Sequence, residues 1–250
     1  MTVLSVNLNK VALLRNQRDL DLPNVLRTGR ICLDAGAHGL TLHPRPDQRH
    51  ARPQDVFDMS ELIETRRQTQ PELEFNVEGN PLPEFLDLVL AVRPQQCTLV
   101  PDAPEARTSS EGWNVEQDGA RLKDVVARLH EYGIRVSVFL NPEIAQVELA
   151  PATGVDRIEF YTEPYAAAFA TPRRDAVTQQ YAEVVRRAQA LGLGVNAGHD
   201  LNLDNLGHLC RMAPGILEVS IGHAITADAL EMGWTNAVRA YRAVLAGGQP

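Results

Sequence analysis

The 250-residue sequence has few cysteines, few aromatic residues, no excess of positive charge and no long hydrophobic run. Its three cysteines, Cys32, Cys97 and Cys210, are an odd number without a CxxC pair, which favours buried thiols in a reducing compartment over a disulfide framework. No stretch approaches the ~18 consecutive apolar residues of a membrane span, and the start MTVLSVNLNK lacks the pattern of a signal peptide. We therefore expect a cytoplasmic protein without a membrane partner.

The charge balance argues against a general polyanion-binding surface. Lysine and arginine number 24 against 32 aspartates and glutamates, which gives a formal net charge of −8. Neither GxGxxG nor GxxxxGK[ST] occurs, so the commonest nucleotide-binding motifs are missing. We expect no nucleic-acid partner, and any anionic ligand must find a local basic pocket.

Short β-branched runs alternate with segments of helical periodicity along the whole chain, a pattern typical of repeated βα units. The runs are Val3–Leu8, Gly39–His43, Leu73–Glu78, Cys97–Val100, Arg135–Leu140, Arg157–Tyr161, Gly194–Ala197 and Leu217–Ile221. Eight βα units in about 250 residues match the size of a (β/α)8 barrel. No linker-like stretch divides the chain, so we predict an α/β fold, a single-domain (β/α)8 TIM barrel over residues 1–250 with extra short helices.

Several residues predict where helices begin and end. Gly133 and Gly192 follow helical periods and suit C-terminal caps, and Thr235 suits the N-cap of a last helix. Pro101–Gly112 and Thr162–Arg174 are the longest irregular stretches. Loops of this length in a compact domain are more often lids or binding loops than filler.

The predicted strands alternate apolar and polar residues, although strands of a closed parallel barrel are usually apolar throughout. In the third run, apolar and polar side chains lie on opposite faces. The apolar face has Leu73, Phe75 and Val77, and the polar face has Glu74, Asn76 and Glu78. If the apolar faces meet the helices, the polar faces line the lumen. Burying an unpaired polar group costs a few kcal/mol, so such a lumen is either internally hydrogen-bonded or a wet functional site.

Position along the strands favours a functional site. The polar residues at or just after strand ends are Asn7, Asn9, His43, Glu78, Glu159, His199 and His223. These carboxyl ends form the face on which barrel active sites occur. The alternative for any one of them is a hydrogen-bonded lumen residue or an exposed loop residue, which we favour for His223 and Asn9 taken singly, whereas for the set we favour a functional site. For His38, His130 and His208 we favour a surface position.

Basic residues are concentrated after the first two strands, where they predict a positive patch for an anionic small ligand. They are Lys10, Arg15, Arg18, Arg45, Arg49, His50 and Arg52, and a solvated charged loop is the alternative for any one of them. A second anion site is expected at Ile221–Ala224, where a glycine ends the eighth strand and a helix begins.

Histidines and carboxylates in one lumen permit either metal ligation or proton transfer. The His-x-His pair with which metal-dependent barrel hydrolases often begin is replaced here by Asn7–Leu8–Asn9, and no HExxH occurs. We therefore favour proton transfer by His43, Glu78 and His199, since histidine titrates near neutral pH and a shielded glutamate becomes more basic.

Six segments, in order and spacing, resemble the pyridoxine 5'-phosphate synthases of the deoxyxylulose-dependent vitamin B6 pathway. They are SVNLNKVALLRNQR, LTLHPRPDQRH, NVEGNP, RIEFYTEPYA, VNAGHDL and EVSIGHA, and the resemblance covers about residues 3–245. It implies a homo-octameric (β/α)8 barrel without metal or organic cofactor. The family condenses 3-amino-2-oxopropyl phosphate with 1-deoxy-D-xylulose 5-phosphate to pyridoxine 5'-phosphate, phosphate and water.

The same resemblance assigns roles to residues. His43 and Glu78 match the family's proton acceptors, His199 its proton donor, and Glu159 the carboxylate that stabilises charged intermediates. Residues matching substrate contacts are Asn7 and Arg18 for the aminoketone phosphate, Asn9, Lys10, Arg45 and His50 for the deoxyxylulose phosphate, and Asp200, Gly222 and His223 for the remaining phosphate-side contacts. Ser109, with Thr108 or Ser110 as alternatives, matches the hydroxyl of the lid after strand four.

Two departures from the family pattern predict altered binding detail, and both lie outside the acid–base set. Asn9–Lys10 stands where one branch has Asp-His, and Glu163 replaces a glycine after the sixth strand. Two further hypotheses remain. One is a metal-dependent TIM-barrel hydrolase or lyase with His43, Glu78, Glu159 and His199 as ligands, and the other is a non-catalytic oligomer that binds phosphorylated metabolites.

Overall fold

A closed barrel of eight parallel strands forms the centre of the protein. The structure is a computed structural model that describes residues 1–102 and 111–248. The strands are β1 (Val3–Asn7), β2 (Gly39–Leu42), β3 (Glu74–Gly79), β4 (Gln96–Leu99), β5 (Arg135–Leu140), β6 (Arg157–Phe160), β7 (Gly194–Ala197) and β8 (Ile216–Ile221). They pair in chain order, and β8 closes on β1 with Leu4 beside Val219. The predicted (β/α)8 barrel is confirmed, and each predicted strand differs from the observed one by at most one residue at either end.

Helices surround the barrel. They are α1 (Asn9–Arg15), α2 (Val25–Asp34), α3 (Pro53–Arg67), α4 (Pro83–Val92), α5 (Val115–His130), α6 (Ile144–Leu149), α7 (Glu163–Phe169), α8 (Arg174–Ala190), α9 (Leu206–Met212), α10 (His223–Met232) and α11 (Trp234–Leu245). A 3₁₀-helix at Ala150–Thr153 follows α6. Three βα units carry two helices each, so α1, α7 and α10 are the extra short helices expected from the sequence. Within residues 1–102 and 111–248, no helix is long and apolar enough to cross a membrane.

Local hydrogen bonds explain several helix ends. The Asn24 side chain accepts a hydrogen bond from the Arg27 amide at 2.7 Å and so caps α2. Gly192, at φ +80°, follows Leu191 at the end of α8, and the next amide turns back to the Ala188 carbonyl at 3.0 Å. This left-handed residue is the predicted C-terminal cap. Gly133 is also left-handed but lies three residues beyond the end of α5.

The prediction of Thr235 as an N-cap is wrong. Helix α11 begins at Trp234, and Gly233 is its N-cap as well as the C-cap of α10. Its φ of +80° lets the chain leave one helix and enter the next over a single residue. Because Gly233 accepts the first helical hydrogen bond, from Ala237 at 3.0 Å, Thr235 is already inside the helix.

The predicted irregular stretch Thr162–Arg174 is also corrected, because it contains α7 and the start of α8. Pro164 stands in the first turn of α7, where its missing amide hydrogen costs no hydrogen bond. Tyr165 and Ala168, one turn apart, are fully buried and fix this helix on the barrel. Glu163 is its first residue, a position where the helix dipole favours a negative charge.

The apolar strand faces pack outward against the helices, and polar side chains fill the lumen. Leu4, Val6, Leu40 and Leu42 are completely buried in the outer layer. At the amino-terminal end of the lumen a hydrogen-bonded network pairs the charged groups: Arg135 pairs with Glu74, Arg157 approaches Glu218 at 3.3 Å, and Asn196 donates to Gln96 at 3.3 Å. The predicted polar lumen is therefore present, and its floor is closed by internal pairing.

Candidate active site

A cavity of about 610 Å³ opens at the carboxyl ends of the strands. The candidate residues that line it are Asn7, Asn9, Lys10, His43, Arg45, His50, Glu78, Glu159, His199, Asp200, Gly222 and His223. They converge because each follows or ends a strand of the same parallel barrel, so residues far apart in sequence share one rim. The structure thus brings together nearly the whole set that the sequence singled out.

Two candidate residues are not part of this group. Arg18 is exposed in the segment after α1 and does not line the cavity. Ser109, together with its alternatives Thr108 and Ser110, lies outside the described residues, as does most of the predicted lid.

Glu78 lies near the end of β3, and its carboxyl group is buried in the lumen. Asn7 donates to Oε2 and Asn76 to Oε1, each at 3.4 Å. Burial, followed by the negative charges of Glu218 and Asp102, raises the pKa of Glu78 to about 8. A carboxylate with this proton affinity is a stronger base than an exposed one and can exchange protons near neutral pH.

Glu159 enters the same lumen from β6 and is also buried. Burial and the neighbouring Glu78 and Glu218 raise its pKa well above the usual range. A Cβ on Gly198 would lie 2.8 Å from Glu159 Oε1, so the glycine after β7 leaves room for this carboxyl group.

His43, directly after β2, is buried with its amide held by Asn9 Oδ1 at 2.8 Å. Burial and the positive charge of Arg45 lower the pKa of His43 well below 6.5. Its ring lies 5.8 Å from that of His50, whose pKa falls to about 4 through burial and the charges of Arg45 and Lys10. Both imidazoles are therefore neutral near pH 7 and able to accept a proton.

His199 follows β7 and is enclosed by aromatic rings. Its ring centroid lies 5.1 Å from that of Phe139 and 5.5 Å from that of Tyr161. Burial lowers the pKa of His199, against the opposing negative charges of Asp200 and Asp102. The imidazole is thus neutral in the ligand-free protein and needs a negatively charged neighbour before it can act as an acid.

The basic rim is smaller than the sequence suggested. Lys10, Arg45 and Arg49 line the cavity, and Arg45 also pairs with the buried Asp102. Arg52 is exposed at the N-cap of α3. Arg15 is buried, pairs with Asp55 and donates to the His50 carbonyl at 3.3 Å.

Arg15 therefore supports the loop after β2 and does not line the cavity. Asn16 assists it, since its side-chain amide lies 2.9–3.0 Å from the carbonyl oxygens of Gln48, Arg49 and His50. These bonds hold the loop that carries Arg45 and His50 over the mouth of the barrel.

The second predicted anion site has the expected geometry. Gly222 ends β8 and is the N-cap of α10, whose first residue is His223. A Cβ on Gly222 would lie 3.2 Å from Asn7, so only glycine lets these two strand ends approach so closely. The start of α10 faces the cavity and offers the backbone amides and dipole that bind anions.

The sequence reasoning overlooked some lining residues. Tyr161 lies beside His199, and its alternation with Glu159 along β6 was the signal for a lumen position. Leu13 and Leu201 give the cavity an apolar margin that carries no chemical signature in the sequence. In the part of the chain that the structure describes, no three His, Cys, Asp or Glu side chains are grouped as a metal site requires.

Solved structures of low sequence identity share the fold. The "Native KDPGal structure" aligns with a TM-score of 0.60 at 13% identity over 97% of this chain and 95% of that one. Monomers of phosphoribosylanthranilate isomerase from Thermotoga maritima align with a TM-score of 0.59 at 10% identity over 99% of this chain and 100% of theirs. These likenesses concern the barrel alone.

Curated relatives are much more similar in sequence. The pyridoxine 5'-phosphate synthase of Albidiferax ferrireducens is 49% identical over 99% of both chains. That of Parabacteroides distasonis is 49% identical over 98% of this chain and 99% of its own. A family model described as "Pyridoxal phosphate biosynthesis protein PdxJ" matches residues 4–247. The chain therefore belongs to the PdxJ family of pyridoxal phosphate biosynthesis proteins.

Proposed function

We propose that this protein is a pyridoxine 5'-phosphate synthase. It condenses 3-amino-2-oxopropyl phosphate with 1-deoxy-D-xylulose 5-phosphate and releases pyridoxine 5'-phosphate, phosphate and water. The observation that carries the proposal is the convergence of His43, Glu78, Glu159 and His199 in one cavity beside a basic rim. The near-full-length relatives that bear this name support the same reaction.

The reaction requires several proton transfers in one place. An amine and a ketone join as an imine with loss of water, protons leave carbon and oxygen, and phosphate departs. Glu78 removes protons, because burial makes it a strong base, and neutral His43 accepts and passes them on. Glu159 stabilises charged intermediates across the lumen. His199 protonates a leaving group once a bound phosphate dianion has raised its proton affinity.

Two anion subsites orient the reactants. Lys10, Arg45 and His50, with Asn9, bind the deoxyxylulose phosphate at the loops after β1 and β2. Asn7 and the backbone at Asp200 and at Gly222–His223 bind the aminoketone phosphate near the start of α10. Holding both phosphates fixes the amine against the ketone and converts a bimolecular encounter into an intramolecular step.

A product assay tests the reaction directly. Purified protein mixed with both phosphates should form pyridoxine 5'-phosphate, and Glu78→Gln and His199→Ala should each lower kcat by about 10²–10⁴-fold. An exposed matched substitution, Glu183→Gln on α8, should leave turnover unchanged. Full turnover in both site variants would remove the mechanism.

The same preparations separate the alternatives. A requirement for zinc or manganese that survives dialysis would favour a metal-dependent hydrolase or lyase. Binding of both phosphates without product would favour a non-catalytic binding protein.

We further propose a cytoplasmic homo-octamer, as the resemblance to the family implies. Exposed leucines support association between subunits: Leu14, Leu20 and Leu22 around the end of α1, and Leu230 on α10, are 49–76% exposed. Helices α1 and α10 pack together, so these side chains belong to one side of the barrel. Light scattering of wild type should give eight subunits, and Leu230→Glu should give smaller species; a wild-type monomer would contradict the assembly.

A further inference from the structure

Glu78 lies where an ionised carboxylate is poorly stabilised. Titratable or charged groups face it from most of the lumen: His43 and Arg45 after β2, Cys97 of β4, Asp102 after β4, Glu159 of β6, His199 after β7 and Glu218 of β8. Three of these are carboxyl groups, so burial and repulsion both favour the protonated form. A base at this place needs hydrogen-bond donors that favour its anion.

Two side-chain amides supply those donors. Asn7 at the end of β1 reaches Oε2, and Asn76, two residues before Glu78 on β3, reaches Oε1. Asn76 is 2% exposed, so water does not replace its amide. A hydrogen bond to a charged acceptor in a buried place is worth more than one between neutral groups.

Thr98 on β4 holds the oxygen end of the Asn76 amide, the end that points away from Glu78. Its hydroxyl donates to Asn76 Oδ1 at 3.0 Å, and both side chains are buried. If the amide were turned over, its oxygen would face the Glu78 carboxylate and repel it. The strand register places Thr98 directly beside Glu78, so three lumen residues on two adjacent strands form one hydrogen-bonded chain.

Glu159 provides the contrast. It is buried in the same lumen, yet its Oε2 has no hydrogen-bond partner among the residues that the structure describes. Of two facing carboxyl groups, the one with amide donors on both oxygens ionises first, and the other keeps the proton.

We propose that Asn76, oriented by Thr98, is a positioning residue that stabilises ionised Glu78 and so makes it, and not Glu159, the base of the pair. The inference rests on the proposed function only for the statement that Glu78 acts as a base. The ionisation itself is a property of the ligand-free protein.

Infrared titration of the carboxyl band tests the proposal without turnover. The Glu78 band is identified as the one missing from Glu78→Gln. In Asn76→Leu and in Thr98→Val we expect the titration midpoint of the Glu78 band to rise by about one pH unit. The reason is that ionised Glu78 loses the hydrogen bond from the Asn76 amide, or that this amide is no longer oriented toward it. The acid limb of the kcat/KM profile should shift by the same amount.

Two control variants keep the result specific. Thr98→Ser retains the hydroxyl and should keep the wild-type midpoint. Ser137 on β5 is paired in register with Thr98, and its buried hydroxyl has no hydrogen-bond partner within residues 1–102 and 111–248. Ser137→Ala should therefore also leave the Glu78 midpoint unchanged.

An unchanged Glu78 midpoint in folded Asn76→Leu would overturn the proposal. If that variant does not fold, an unchanged midpoint in Thr98→Val overturns it. A purely structural role would lower the melting temperature and leave both the band and the pH profile in place. Absence of product from the wild type would refute the proposed function and leave this titration interpretable.

Discussion

At the scale of single residues, the site works by shifting proton affinities through burial. Glu78 and Glu159 are made more basic, while His43, His50 and His199 are made less so. These opposite shifts follow from one cause, because burial disfavours the charged form of both an acid and a base. The lumen thereby holds one carboxyl group, Glu78, whose pKa of about 8 is close to neutral pH, beside imidazoles that are neutral there.

The pKa of Glu78 makes the rate depend on pH. A base acts when ionised, and a pKa of about 8 leaves only about a tenth of Glu78 ionised at pH 7. We expect kcat/KM to rise with pH and to level off above about pH 8, as measured in buffers of constant ionic strength. A flat profile from pH 6.5 to 9 would contradict the assignment of Glu78 as the base.

Gly222 gives a prediction about close approach. In Gly222→Ala the new Cβ would lie 3.2 Å from the Asn7 side chain, which must then move away from Glu78 and from the start of α10. We expect kcat/KM to fall by about tenfold, since small misplacements of binding groups are costly. Steady-state kinetics measures this.

Gly119→Ala on α5 is the matched control for Gly222→Ala. Its Cβ would meet only ordinary contacts of 3.7 Å or more, so activity should stay unchanged and stability should rise slightly. Equal kinetics in Gly222→Ala and Gly119→Ala would show that the approach of Gly222 to Asn7 has no functional importance.

Much of the site could be predicted from single residues, and the rest depended on contacts between residues that are distant in the sequence. A histidine or glutamate at a strand end of a parallel barrel points to the common rim whatever its neighbours are. Arg15 and Arg45 both follow a strand end in the sequence. The ion pair with Asp55 holds Arg15 beneath the loop after β2, and only Arg45 lines the cavity. The role of Asn76 was equally hidden, because it depends on Thr98 from another strand.

At the scale of elements, the strands determine the architecture and the short helices complete it. Short β-branched runs between segments of helical periodicity predicted every strand. Helix α7 was missed because its seven residues are too few to show a helical period, and it is stabilised by burying Tyr165 against the rest of the barrel. Short helices of this kind depend on tertiary packing more than on propensity.

The contact between β3 and α4 yields a prediction of stability. A Cβ on Gly79 would lie 2.3 Å from the Phe85 ring, which packs across the end of β3. Gly79→Ala should lower the free energy of unfolding by about 1–3 kcal/mol, the usual cost of overpacking, as measured by urea denaturation. Adding Phe85→Leu should recover part of the loss, and additive losses in the double variant would contradict this account.

At the scale of the whole molecule, the buried carboxyl groups couple stability to pH. Glu78, Glu159 and Glu218 have raised pKa values in the folded protein, about 8 for Glu78 and about 7 for Glu218. At pH values between the pKa of each glutamate in the unfolded protein and its pKa in the folded protein, the folded state binds more protons. Stability therefore falls as pH rises through this range. The lowered pKa values of the buried histidines give the opposite slope, but only below about pH 6.5.

We therefore expect the melting temperature to fall between pH 6.5 and pH 8.5. Each kcal/mol lost corresponds to about 2–4 °C in a chain of this size. Glu218→Gln should flatten the dependence, whereas the exposed control Glu183→Gln should leave its slope unchanged. A melting temperature that rises over this interval would contradict the assigned protonation states.

The division between an apolar outer layer and a hydrogen-bonded lumen has a consequence for redesign. Most side chains of the hydrophobic core lie outside the cavity, and the residues that line the cavity, apart from Leu201 and Ile221, contribute little hydrophobic burial. Substitutions at the mouth can therefore be explored extensively before the scaffold collapses. A laboratory search for new carbon–nitrogen ring-forming reactions should begin at those mouth positions and leave the paired residues of the floor untouched.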